Sequence, residues 1–284
     1  MLRIVQRIPI LNTMKTFQNK VVWLTGASSG IGEALAYALS SRKAKLILSS
    51  RNQSGLERVK RCCENGGDNI LVLPLDLTCP QELEQKANEA WNHFGKIDYL
   101  FLNAGIAVRD LAVSTLPEMD RLVMETNYFG PMLLTKYILP HLLEKQNGHI
   151  VVVSSLSGKY GIPRLSAYAA SKHALHGYFE SLRAEVAGRN LKISMIVPGF
   201  ISTPLALHTR DGKGNAYGKA IEVNESGMSP EVCAEKILRA VAKEKQEALV
   251  GGAEISSVYL NRFFPVIFSR IIRNHPMRRF RHGK

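Results

Sequence analysis

A chain of 284 residues, 45% hydrophobic and 21% charged, has the make-up of an ordinary globular protein with ample core, as one large α/β domain or two small ones. Its four cysteines, Cys62, Cys63, Cys79 and Cys233, show no paired spacing, which argues against a disulfide framework or a metal site and for a reducing, cytoplasmic setting. The formal net charge of +13 sits mainly at the ends, since residues 1–20 and 255–284 carry eleven basic residues and no acid; the body is nearly balanced, shows no helix-turn-helix or RNA-binding signature, and is not read as a nucleic-acid binder.

From Lys20 onward, short apolar runs alternate with helix-length segments. Strands are expected at 21–25, 45–49, 70–75, 97–102, 149–154, 191–197 and 247–250. Helices are expected at 32–41, 56–64, 81–94, 117–143, 168–187 and 230–243. Most of the strands are continuously apolar, as suits strands buried on both faces of a parallel sheet. Strict alternation then implies right-handed crossovers and a single-domain, Rossmann-like, doubly wound α/β fold with helices on both faces. The expected division is a catalytic domain over 18–254 and a basic, apolar tail over 255–284.

The turn Thr25-Gly26-Ala27-Ser28-Ser29-Gly30-Ile31-Gly32 follows the first strand and opens the first helix. Glycines at 26, 30 and 32 allow a tight turn and close approach of backbone to a pyrophosphate, at a helix N-terminus whose N–H groups face the anion. The second strand ends in Ser49-Ser50-Arg51-Asn52. No acid stands there to hold a ribose 2′-hydroxyl, whereas Arg51 suits a 2′-phosphate, with Ser50 and Asn52 as added donors; this predicts NADP(H).

In Ser166-Ala167-Tyr168-Ala169-Ala170-Ser171-Lys172 the tyrosine and lysine stand four apart, on one face of a helix. A free phenol titrates near ~10, and an adjacent ammonium is expected to draw it toward neutrality, as a general acid-base catalyst requires.

Together the motifs resemble the short-chain dehydrogenase/reductase superfamily, in the branch with a Tyr-x-x-x-Lys pair. The likeness runs from about Lys20 to Thr203 through Thr25–Gly32, Asp76-Leu77-Thr78, Leu102-Asn103-Ala104-Gly105, Asn127, Ser154-Ser155, Tyr168–Lys172 and Pro198-Gly199-Phe200-Ile201-Ser202-Thr203. The stretches 123–131 and 166–174 are similar, more narrowly, to the member 7B-like branch. The resemblance implies that Ser155, thirteen residues before Tyr168, polarises a substrate carbonyl, with Ser154 as runner-up. Tyr168 would exchange the proton, Lys172 would bind the nicotinamide ribose and hold down the tyrosine's pKa, and Asn127 would hold a water that links Lys172 to solvent. Cofactor contacts would fall to Gly26, Ser28, Ser29, Gly30, Ile31, Gly32 and Arg51, and to Asp76 and Leu77 by the adenine. Asn103, Ala104 and Gly105, then Pro198, Gly199, Ile201 and Thr203 toward the carboxamide, complete the set. Leu102 departs from the family's usual asparagine.

The implied activity is hydride transfer between NADP(H) and a carbonyl or secondary alcohol, in a homodimer or homotetramer built through the 117–143 and 168–187 helices. A nucleotide-binding scaffold without turnover is the contrasting reading. Phe200, Leu205 and Leu207 point to a lipophilic substrate, and the region after Thr203, through Asp211–Asn215 and on to Gly227, reads either as a lid or as a solvated insertion. The 257–273 stretch is too interrupted to span a bilayer; it suits either an interfacial basic-amphipathic segment, a peripheral membrane contact, or packing on the body or another subunit. Residues 1–17 suit a targeting or membrane-contact segment, with Met14 as an alternative start.

Overall fold

The apolar runs assemble into one parallel sheet in a computed structural model of the protein, which describes residues 15–64, 66–203, 209–217 and 227–274. Its strands are β1 (Val21–Thr25), β2 (Lys45–Ser49), β3 (Ile70–Val72), β4 (Tyr99–Leu102), β5 (Gly148–Val153), β6 (Leu191–Pro198) and β7 (Glu247–Val250). They stand in the order β3-β2-β1-β4-β5-β6-β7, every pair parallel. The helices are α1 (Gly30–Ser40), α2 (Gln53–Cys62), α3 (Pro80–Phe94), α4 (Pro117–Met124), α5 (Gly130–Lys145), α6 (Ser166–Glu185), α7 (Pro230–Ala242), α8 (Ser256–Phe263) and α9 (Pro265–Arg273).

Successive strand residues point to opposite faces, so a strand buried on both sides feeds two cores. Along β1, Val22 and Leu24 join a cluster with Leu35 and Leu39 of α1, Leu56 of α2 and Ile237 of α7. Val21 and Trp23 join the other, with Leu83 of α3, Leu134 and Ile138 of α5 and Phe179 of α6. The expected doubly wound fold is therefore the one observed. The chain leaves β1 in one direction for β2 and β3 and in the other for β4 to β7, and this reversal opens a crevice at the carboxyl ends of β1 and β4.

Three boundaries differ from expectation for identifiable reasons. The third strand is regular only to Val72, although Leu73 and Leu75 N–H still donate to the Leu48 and Ser50 carbonyls at 2.9 and 3.1 Å; Pro74 falls between these donors, where a proline on an edge strand costs no ladder bond. The expected helix over 117–143 is broken by a π turn at Glu125–Phe129. Pro131 cannot donate to the Asn127 carbonyl four residues earlier, and its ring crowds that turn, so the helix widens there. The tail holds two helices, α8 and α9, separated at Phe264 before Pro265. Leu205, Leu207 and residues 1–14 lie outside the described residues. The Asp211–Asn215 segment is a tight turn in which Asp211 Oδ1 accepts from the Lys213 and Asn215 N–H groups.

Candidate active site

Every sequence-derived site residue that belongs to a strand end or its following loop lies at the carboxyl edge of the sheet. The glycine turn leaves β1 with Gly26 at φ +68° and Gly30 at φ +57°, the left-handed region open to glycine at little cost. A Cβ on Gly26 would come within 2.8 Å of Ala104 Cα, and one on Gly32 would collide with the Gly26 carbonyl. The turn is thus pressed flat against the loop after β4, and α1 begins at Gly30 without a side-chain cap at Ser29. Its first N–H groups and its dipole face outward, which fits a pyrophosphate.

Asn103 braces this turn through Nδ2, which donates to the carbonyls of Thr25 (3.1 Å) and Gly26 (3.3 Å). Thr25 Oγ1 in turn accepts from the Asn103 and Ala104 N–H groups at 3.0 and 3.1 Å. Arg51 is exposed beyond β2. Asn52, expected as an anion donor, instead spends Oδ1 on capping α2, accepting from Gly55 N–H at 2.9 Å. Asp76 holds an Asx turn, with Oδ1 accepting from the N–H and hydroxyl of Thr78 at 2.9 and 2.8 Å, while buried Leu77 packs against Gly130.

The loop after β5 and helix α6 bring Ser155, Tyr168 and Lys172 together. The Ser155 side chain stands beside the Tyr168 hydroxyl, near enough to favour its phenolate form. Ser154 turns away and donates to the Lys172 carbonyl at 3.4 Å, so of the two serines it is Ser155 that meets the phenol. Lys172 is buried; its ammonium donates to the Val153 carbonyl at 2.9 Å and sits 5.7 Å from the centre of the Tyr168 ring. Gly105 completes the floor, since a Cβ there would be 3.2 Å from Asn127 Oδ1 and 3.5 Å from Lys172 Nζ.

Asn127 lies in the π turn, fully buried. Its Oδ1 accepts from Ile106 N–H (2.8 Å), and its Nδ2 donates to the Ile106 carbonyl (2.9 Å) and to Ser171 Oγ (3.0 Å). Ser171 passes its own proton to the Tyr168 carbonyl at 2.8 Å. The side chain of Asn127 is therefore engaged in fastening the loop after β4 to α6. Ser171 escaped sequence reasoning because a serine inside a helix usually back-bonds its own turn, and here it does so while also receiving Asn127.

The electrostatics correct one expectation. Lys172 was expected to draw the Tyr168 phenol toward neutrality. Burial instead raises the phenol above its ordinary value, and the nearby Ser155 hydroxyl offsets only part of that. Burial also lowers the lysine, to about 8.

The loop after β6 is held from the far side. Gly199 N–H donates to the Val250 carbonyl at 2.8 Å, and Ile201 is buried where it bridges Met228. Glu254 Oε1 accepts from the N–H groups of Phe200 (3.1 Å) and Gly252 (3.0 Å), and a side chain on Gly199 would strike its carboxylate. Sequence reasoning missed Glu254, a lone acid ahead of a basic tail.

Residues 20–214 match the family model described as short chain dehydrogenase. The chain is a short-chain dehydrogenase/reductase. This dehydrogenase is 38% identical over 262 residues to dehydrogenase/reductase SDR family member 7B of Bos taurus, covering 90% of this chain and 81% of that protein. It is 37% identical over 275 residues to a dehydrogenase/reductase SDR family protein 7-like of Drosophila melanogaster, covering 92% and 84%. Among solved structures it resembles a short chain dehydrogenase/reductase from Burkholderia phymatum in complex with NAD, at 25% identity and a TM-score of 0.78, covering 87% of this chain and 94% of that one. A 3-ketoacyl-(acyl-carrier-protein) reductase from Brucella melitensis complexed with NADH matches at 25% identity and a TM-score of 0.72, covering 84% and 98%. The dehydrogenase is thus a pyridine-nucleotide oxidoreductase of the 7B-like branch.

Proposed function

We propose that this oxidoreductase uses NADP(H) to interconvert a lipophilic ketone or aldehyde and its alcohol. The observation that carries the reading is the meeting of Ser155, Tyr168 and Lys172 at the carboxyl edge of β5, next to a glycine turn shaped for a pyrophosphate. Arg51, with no acid at the end of β2, supports the 2′-phosphorylated cofactor. The residues fit such a dinucleotide, since the glycine turn leads into α1 with no side chain capping the N-terminal N–H groups of that helix. Gly26, Ser28, Ser29, Gly30, Ile31 and Gly32 would hold its pyrophosphate and Arg51 its phosphate. Asp76 and Leu77 would meet the adenine, Asn103, Ala104 and Gly105 would back the adenosine and ribose, and Pro198, Gly199, Ile201 and Thr203 would meet the carboxamide.

The nicotinamide, when bound, supplies or takes the hydride. The protein's task is the oxygen. Ser155 and Tyr168 donate to it as negative charge grows there in reduction, and preorganised donors of this kind are worth about 3–4 kcal/mol each. Tyr168 then gives its proton, which a phenol raised by burial holds until the alkoxide forms. Lys172 holds the ribose and replenishes the proton. Asn127 positions Ile106 and, through Ser171, the Tyr168 turn; its backbone carbonyl, deprived of an i+4 donor by Pro131, suits the water that leads to solvent.

Residues 18–254 form the catalytic unit in this reading, assembled as a homodimer or homotetramer through α4–α5 and α6. The tail makes a peripheral membrane contact. Tyr259, Phe263, Phe264, Val266, Ile267 and Ile271 are exposed, Phe263 at 69%, among Arg262, Arg270 and Arg273 and no acid. The tail packs on the segment between Ser155 and Tyr168, with Phe268 edge-on to Tyr160 at 4.7 Å, and leaves a cleft of about 420 Å³ lined by Pro163, Phe268 and Ile272.

The test is NADPH and NADH oxidation measured side by side with aldehydes, steroids and lipid ketones. Turnover is expected with NADPH, and Tyr168→Phe is expected to retain NADPH binding while losing at least about a hundredfold in kcat. Near-normal turnover in that variant, or none by the wild type on any carbonyl, would sink the reading.

A further inference from the structure

The sheet ends at β7, which has a neighbouring strand, β6, on one side only. Along a strand the N–H and C=O of one residue point to the same side, and those of the next residue to the other. The Gln246 and Val250 carbonyls accept from Met195 and Gly199 N–H at 2.9 and 2.8 Å, so the even-numbered residues face β6. Glu247 and Leu249 therefore turn their backbone groups outward, where the sheet has no further strand. At Gly251 the edge is closed, because Lys236 Nζ donates to that carbonyl at 3.3 Å.

Between α7 and this edge lies a cleft of about 320 Å³. Lys236, Arg239 and Lys243 line it from the helix and Lys245 from the approach to β7, over a floor that includes buried Ala240 and Val250. No acid lines it. The four cations are exposed, and among the described residues none of them forms an ion pair. Nearby acids are engaged elsewhere: Glu235 with Arg42, Glu244 with Lys192 at 3.0 Å, and Glu247 with Lys159. Glu254, near enough to feel Lys236, gives Oε1 to the Phe200 and Gly252 N–H groups. A helix dipole favours cations in the last turn, which accounts for Arg239 and Lys243. Edge strands are commonly guarded by a charge of their own, which accounts for Lys245. Neither reason places Lys236 further back on α7, nor turns all four cations on one cleft.

We propose that this cleft docks an extended acidic segment of a partner protein, which adds to the sheet beside β7 and sets its carboxylates among Lys236, Arg239, Lys243 and Lys245. Main-chain bonds to Glu247 and Leu249 give the pairing, and the cations give the preference for acid. A second copy of this chain on the same edge would bring four cations against four. The chain's own ends, residues 1–14 and 275–284, contain no Asp or Glu to offer. The proposal is independent of the oxidoreductase reading.

A short fluorescent peptide alternating Glu and Val is titrated against the full chain and followed by anisotropy. Saturable binding is expected, weakening at least about tenfold as salt rises from about 0.05 to 0.5 M. A peptide alternating Lys and Val is expected not to bind. Arg239→Gln with Lys243→Gln is expected to weaken the acidic peptide about tenfold, and Lys236→Gln with Lys245→Gln by about the same factor, while circular dichroism melts verify that both variants are folded. Two further peptides keep the charge and block one edge, with every Val amide or every Glu amide N-methylated. One of the two is expected to bind at least about tenfold more weakly than its parent, since it has lost the donors that face β7. Absent binding of the acidic peptide, or binding untouched by both pairs of changes, overturns the docking surface. Undiminished binding of both methylated peptides, with displacement by tripolyphosphate, would make the cleft a small-anion site and overturn strand addition. Tighter binding of duplex DNA than of the peptide would overturn the protein partner. Self-association in sedimentation that either pair of changes abolishes would assign the edge to a second copy and overturn the proposal as well.

Discussion

Lys172 is a lysine almost sealed from water whose ammonium has one backbone acceptor, the Val153 carbonyl. Burial lowers it from 10.5 to about 8, so between those values the unfolded chain binds more protons than the native one. Native stability therefore rises with pH across that window, and below it the buried charge is a standing cost. Lys172→Met is expected to abolish turnover and yet stabilise the cofactor-free protein by about 1–3 kcal/mol near neutral pH. The gain should fade as pH rises toward ten, which urea melts on both proteins at two pH values would read. A Met variant less stable than wild type near neutrality would show that the Val153 bond outweighs burial. The residue pattern was legible here in part. Four-residue spacing placed Tyr168 and Lys172 on one face, and the thirteen-residue spacing implied by the family resemblance favoured Ser155 over Ser154. The sign of the phenol's shift was not legible, because it depends on how much protein covers the hydroxyl.

Elements repeat the lesson at longer range. Continuous apolar runs marked the strands, since burial on both faces admits nothing else. The helix expected over 117–143 was right in direction and wrong in continuity. Its signal, a proline four residues after a buried asparagine, was in view, but proline inside an apolar run reads as a kink until the asparagine's partners are known. In β5 and β6 a polar pair hides inside apolar strands, with buried His149 Nε2 at 2.8 Å from Ser194 Oγ. Ser194 spends its proton on the Lys245 carbonyl, so the histidine must carry a proton on Nε2. Burial lowers His149 to about 4 from 6.5, so the unfolded state binds the extra proton first, and stability falls as pH drops through that interval. A loss of up to about 3 kcal/mol between pH 6.5 and 4 is expected from this residue. His149→Gln should flatten that part of the stability curve, and an unchanged acid slope in the variant would assign the loss to other groups.

For the whole molecule the question is how the tail and the body share work. No helix among the described residues is long and apolar enough to cross a membrane, whereas α9 shows Ile267 and Ile271 in one row and Arg270 and Arg273 in the next. The protein is expected to float with anionic vesicles and not with neutral ones. Each of Arg262, Arg270 and Arg273 changed to Gln should weaken partition roughly fivefold. Equal flotation on neutral vesicles, or none on anionic ones, would return these side chains to a protein partner. Composition showed the charge of this tail but not where it docks, since Phe268 meets Tyr160 only after the sheet has closed. Glu254 ties the two parts, for one carboxylate oxygen holds both the Phe200 N–H after β6 and the Gly252 N–H just ahead of α8. A tail exchanged between relatives is therefore best joined after Glu254: a graft begun earlier would carry off the fastening of the Gly199–Phe200 loop along with the segment it was meant to replace.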